Sequence, residues 1–300
     1  MEWEIEKVLQ EKIGRFYSLI EDYSSDKPNT RYKSWEWCHK AFIEKKENYK
    51  KGEEDDTNNA IIDELSLHLG FYLASWGMYR GSSFLLQRDY KVHYGAVKEI
   101  LECTDERLWD YTPKEEEIKA ISVSLFGEPN NDGLYKKIRD AYKNAPTPSD
   151  TLVTKILMGT LGCIPALDRF FKAGLQVYQS IQDGDEYKPS SADYPKKVFT
   201  YLAKLAANRQ HLFAFSASPP KNAVCIYPPM KCLDMCFWEI GYEKDLIEVL
   251  VKGNAKAKNS ALEKAKITIL KDIAANEKID SICAAKRIDE RIYTNILSEK

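Results

Sequence analysis

Apolar residues recur at helical spacing along nearly the whole chain, and convincing period-two alternation is absent. That spacing gathers apolar side chains on one face of a 3.6-residue helix, whereas a half-buried strand needs strict alternation. In the opening stretch Ile5, Leu9, Ile13, Phe16 and Ile20 fall near one side. MEWEIEKVLQEKIGRFYSLI therefore reads as an amphipathic helix and not as a basic segment followed by an apolar export core. The predicted class is mainly α and multi-helical.

Breaks in the pattern divide it. A second helix is expected over 31–49, aromatic on one side and increasingly charged toward KKENYKKGEEDD, where it ends. Asp55, Asp56 and Thr57 suit caps for the next. Residues 59–87 predict one long helix or a kinked pair, with Ala74, Gly77 and Gly81 at a small-residue spacing that admits a second backbone. Shorter helices are expected at 92–103, 114–126 and 132–143, and NAPTPSD (144–150) is a loop in which Ser149 or Asp150 caps the next helix. Beyond the polar loop QDGDEYKPSSADYP (182–195) comes a helix near 195–208, and Pro228 and Pro229 suit the first turn of MKCLDMCFWEIGYEKD. Lys- and Ala-rich stretches at 255–275 and 278–298 complete the pattern. The expected regions are 1–143, then 149–254 packed on it, then a helical extension over 255–300.

Charge and cysteine usage narrow the function classes. The 44 Lys and Arg nearly balance the 46 Asp and Glu, so the whole surface is not suited to coating nucleic acid or anionic membrane. A local basic face stays open. The most apolar run, residues 65–87, carries His68 and Arg80, and charge inside a bilayer costs a few kcal/mol at least (~2.5 or more). A buried helix of a cytoplasmic protein, with no membrane partner, is the expectation. Seven cysteines, an odd number without an export signal, point to reduced thiols.

KILMGTLGCIPALDRFFKAGL (155–175) concentrates the functional question, because Gly159, Gly162 and Pro165 break one apolar helix before it restarts near Asp168. A glycine turn between two helices exposes backbone N–H groups at the start of the second, and these bind a phosphate without a strongly basic surface. On that reading Gly159, Gly162 and Cys163 present donors, Lys155 and Arg169 flank them, and Asp168 is an ionised carboxylate in the first turn. The plainer reading makes the same residues a turn between two core helices.

The run KILMGTLGCIPALDRFF resembles the core of the helix–hairpin–helix DNA glycosylase superfamily, where a glycine turn precedes an apolar–Pro–apolar–Asp entry into a helix. MKCLDMCFWEIG (230–241) is similar to an Asp–x–x–aromatic–Trp–x–x–Gly helix found later in some members. The resemblance implies a glycosylase-like core with additional N-terminal helices, DNA or RNA as partner, and Asp168 as the catalytic carboxylate beside an extruded base. The turn departs from the family's usual Leu–Pro–Gly–Val–Gly, and no lysine stands in it as a lyase nucleophile. Whether the chain is an enzyme stays open.

A second resemblance lies in RDYKVH (88–93). Arg88 and His93 match the Arg–x4–His pattern of HEPN-type ribonucleases, which implies proton transfer by His93 and phosphate neutralisation by Arg88. The remaining patterns read more plainly. Cys225, Cys232 and Cys236 are expected as buried thiols, with neither metal nor cofactor, since a cluster needs four ligands. Lys196, Lys197, Lys204 and Arg209 read as a solvated helix face or as a phosphate-facing stripe, and Arg80 is expected to be ion-paired in a core or to line a pocket with His68, with Asp63, Glu64 or Asp234 as partners. Walker, GxGxxG, HExxH and GxSxG motifs are absent. A non-enzymatic interaction protein is the third reading.

Overall fold

A computed structural model describes residues 33–109, 114–142, 146–181, 193–210 and 225–252, with Lys12, Thr112 and Phe213 as isolated positions. The helices expected over 1–23, 255–275 and 278–298 lie outside the described residues, as does most of the polar loop at 182–195. Nine α-helices are present among the described residues, with one isolated β-bridge between Glu128 and Asn131. The fold is mainly helical, and no described helix is long and apolar enough to cross a membrane.

The chain forms two compact units, each drawn from separated stretches. The larger comprises Ile20–Leu167 and Ala192–Cys232, the smaller Met1–Leu19, Asp168–Ser191 and Leu233–Lys300. In the larger, α1 (Lys33–Lys46), α2 (Asp56–Ser75), α3 (Tyr94–Leu101), α4 (Ile118–Phe126), α5 (Leu134–Asp140) and α6 (Asp150–Thr160) follow one another. The smaller holds α7 (Arg169–Ile181). Then α8 (Tyr194–Ala207) returns to the larger, and α9 (Pro229–Lys252) starts there and continues into the smaller. Pro229 opens α9, as its fixed φ and missing N–H favour at a first turn.

Helix α2 shows how local chemistry sets the boundaries. Asp55 caps it, accepting from the Asn58 N–H at 2.7 Å, and the Asn58 side chain ties back to the Lys50 and Glu53 carbonyls. At the other end Gly77 adopts φ +76, where its N–H reaches the Ala74 carbonyl and the Met78 N–H reaches that of Leu73. This is a left-handed glycine closure satisfying two of the helix's last carbonyls. The helix therefore stops at Ser75 and does not run to 87. Gly77 and Gly81, both at positive φ, belong to a loop and share no helix face with Ala74.

The core of the larger unit packs Phe42 and Trp35 of α1, Leu65, Leu69 and Leu73 of α2, and Val153, Ile156 and Leu157 of α6, all essentially without exposed surface. Each such side chain contributes about 1.5–3 kcal/mol relative to exposure. In the smaller unit α7 and α9 cross at a pair of glycines. A Cβ on Gly174 would stand 1.9 Å from the Phe237 carbonyl oxygen, and one on Gly241 1.8 Å from that of Phe170. Around the crossing Phe171 meets Phe237, and Phe170 meets both Trp238 and Tyr242, edge to face. The Trp–x–x–Gly of MKCLDMCFWEIG is thus a helix-crossing element.

Candidate functional site

The glycine bend between α6 and α7 is interior. Residues 159–167 are buried throughout, including Gly159, Gly162 and Cys163. A Cβ at Gly159 would lie 2.4 Å from the Tyr72 ring, and Gly162, at φ +65, would place one 2.6 Å from Pro228 Cγ. The Leu161 and Gly162 N–H groups both donate to the Leu157 carbonyl, at 3.0 and 2.9 Å. Two carbonyls near the end of α6 are met from α1, one turn apart: Trp35 Nε1 donates to Met158 O and His39 Nδ1 to Thr160 O, each at 2.8 Å. The glycines serve close packing and a left-handed turn.

From that bend the chain runs back beside α6. The Thr151 hydroxyl donates to the Leu167 carbonyl at 2.8 Å, and the Leu167 N–H donates to Thr154 Oγ1 at 2.9 Å. Leu167, the residue before Asp168, is therefore anchored at the opposite end of α6 from Gly162. Asp168 Oδ1 accepts from the Phe170 and Phe171 N–H groups at 3.0 and 3.1 Å, the work of an N-cap on α7. Arg169 is exposed, stacks 4.3 Å from the centre of the Phe170 ring and lies 3.5 Å from Asp245.

Lys155 does not face solvent. It is 4% exposed, with Nζ 3.4 Å from the Trp76 carbonyl and 5.6 Å from the Trp76 ring centre. Lys231, equally buried, lies 5.2 Å from the Trp35 ring and 5.8 Å from that of Trp76. Nearby, Tyr227 Oη donates to the fully buried Glu36 at 2.6 Å. Desolvation, with a smaller push from the Lys231 charge, lowers His39 to about 4. Ammonium groups over indole faces in a desolvated site contribute up to about 2 kcal/mol each. This cluster holds α1, α6 and the start of α9 together.

Arg88 and His93 are parted by burial. Arg88 is exposed, while His93 has no exposed surface. Its Nε2 lies 2.7 Å from Tyr79 Oη and its Nδ1 2.8 Å from Tyr142 Oη, so both ring nitrogens are engaged by phenols. Burial lowers His93 to about 4, which keeps the ring neutral at physiological pH. It is a core histidine here. Cys232 and Cys236 are fully buried thiols, and burial also drives up the Cys225 thiol, to about 12. Lys196, Lys197 and Lys204 lie exposed along α8 as a solvated face.

A site with open space lies on the loop after α2. A cavity of about 580 Å³ is lined by residues drawn from the stretches 77–84 and 146–152, all in the larger unit. Arg80 is the charged side chain in its lining, and no carboxylate lines it among the described residues. Nor is any described residue ion-paired with Arg80. Ser82, Ser83, Thr147 and Ser149 add hydroxyls, while Met78, Phe84, Pro146 and Leu152 give an apolar wall. Ser83 Oγ accepts from the Leu85 N–H and Ser149 Oγ from the Leu152 N–H, at 3.3 and 3.2 Å. Those contacts occupy a lone pair and leave each hydroxyl proton available. The expectation that Arg80 lines a pocket holds in part. Arg80 is exposed and not paired in a core, and it shares the lining with loop hydroxyls and not with His68, because the helix expected to carry both ends at Ser75. The clusters GSS (81–83) and PTPS (146–149) were the available signal, legible as turns.

No protein-family model matches the chain, and no curated protein or solved structure is significantly similar to it.

Proposed function

We propose that this protein binds a small anionic ligand with an apolar body in the Arg80 cavity. The observation that carries this reading is the coincidence, in one cavity, of a guanidinium without an ionic partner among the described residues and four hydroxyl side chains. An arginine beside hydroxyl donors favours an anion, and the volume falls within the ~300–1,000 Å³ common for small-molecule sites. The nucleic-acid reading rested on outward backbone donors at Gly162, and those donors are turned inward.

The test is isothermal titration of the full chain with benzoate and with phenyl phosphate, repeated on Arg80→Gln. At least one ligand binds the parent protein, and the substitution weakens it tenfold or more. Arg80 is exposed and forms no described ion pair, so its replacement changes stability by less than about 0.5 kcal/mol. Loss of binding in a folded variant supports the site. Binding of neither ligand, or binding indifferent to Arg80→Gln, overturns it.

A further inference from the structure

We infer that the anionic group seated at Arg80 is the phosphate of a small phosphomonoester, and that Gly77 positions the guanidinium that receives it. This rests on the reading of the cavity as an anion site. Donor supply is the first reason. The guanidinium presents a two-pronged N–H fork, and hydroxyl protons come from two separate segments, Ser82 and Ser83 on one and Thr147 and Ser149 on the other. A carboxylate offers two oxygens in one plane, which the arginine fork alone can occupy. A phosphate monoester offers three terminal oxygens disposed around phosphorus, so an arginine and hydroxyls from two directions can all be used. The apolar wall and a volume of about 580 Å³ exceed what inorganic phosphate fills, which calls for an ester with an apolar body.

The second reason is the way Arg80 is held. Gly77 has φ +76, and a Cβ built there would lie 2.9 Å from both Cζ and Nε of Arg80. The exposed guanidinium therefore lies beside the bare backbone of the turn that ends α2, and a side chain there would have to displace it. One glycine thus performs two tasks, the left-handed turn and the seat for the charge. Gly52 separates them: it has nearly the same backbone, φ +79, but nothing stands within 4 Å of where its Cβ would be. Alanine at Gly52 imposes left-handed strain alone, whereas alanine at Gly77 adds displacement of the guanidinium.

The experiment titrates phenyl phosphate, benzoate and inorganic phosphate into the full-length protein and into Gly77→Ala, Gly52→Ala and Arg80→Gln, at one ionic strength. Phenyl phosphate is expected to bind at least tenfold more tightly than either other probe. Gly77→Ala is expected to weaken it tenfold or more, and Gly52→Ala to leave it within twofold. Should Gly77→Ala fail to fold, Gly77→Asn, which tolerates the left-handed backbone while keeping a Cβ, gives the same comparison. Benzoate binding as tightly as phenyl phosphate, with both lost in Arg80→Gln, leaves the anion site standing and sinks the phosphate assignment. Inorganic phosphate binding as tightly as phenyl phosphate removes the ester. Equal affinity in the Gly77 and Gly52 variants removes the positioning role, and no binding by any probe removes the site itself.

Discussion

Acid should unfold the larger unit earlier than its carboxylates alone require, because two of its histidines are buried neutral. His39 and His93 both fall from the ordinary 6.5 to about 4 through burial, with the Lys231 charge adding to the effect at His39. Between those pH values the unfolded chain binds the additional protons, so stability falls as pH drops through 6.5 and goes on falling to about 4. From pH 7 to pH 5 each ring costs about 2 kcal/mol and the pair about 4, at 1.36 kcal/mol per pKa unit. Asp105 and Glu106 are held below their ordinary range chiefly by hydrogen bonds from Arg107 and from Lys46, so their stabilisation is lost mainly below about pH 5. The window above that belongs to the histidines. Urea denaturation at pH 7 and pH 5 measures it. His39→Asn, which can still donate to Thr160 O, and His93→Asn should each remove about half of the difference, whatever they cost at pH 7. A double variant that keeps the parent's full difference between the two pH values would refute the assignment.

Other substitutions test the packing. Gly174→Ala or Gly241→Ala drives a methyl into a facing carbonyl and should cost about 3 kcal/mol or more, read from thermal or urea melts. Gly162→Ala should lose clearly more than Gly52→Ala, for which left-handed strain alone predicts about 1–2 kcal/mol, because Pro228 stands against the new methyl. Asp168→Ala should lose about 1 kcal/mol as a missing helix cap, whereas Asp168→Asn stays within a few tenths because asparagine caps nearly as well. A base-excision activity abolished by Asp168→Asn without loss of stability would instead give that carboxylate a catalytic role.

Much of the architecture was legible before any coordinates. The helical class comes from 3.6-residue spacing, which commits each segment locally whatever its neighbours do. Asp55 before α2, Ser149 before α6 and Pro229 at the head of α9 are caps and starts whose chemistry lies within a few residues of chain. The buried state of Cys232 and Cys236 reflects their place one helical turn apart among apolar residues. Spacing could not decide which partner each face would meet. Gly159 and Gly162 carry the same letters whether they open toward a phosphate or close against Tyr72 and Pro228, and those contacts come from residues tens of positions away. His93 reads as a catalytic pair with Arg88 until Tyr79 and Tyr142 arrive from either side of it. The Arg80 cavity joins two loops more than 60 residues apart, so no local pattern held it. Short-range backbone chemistry is written in the chain itself. Exposure, pairing and concavity depend on which distant surfaces exclude water together, and only the tertiary structure decided those.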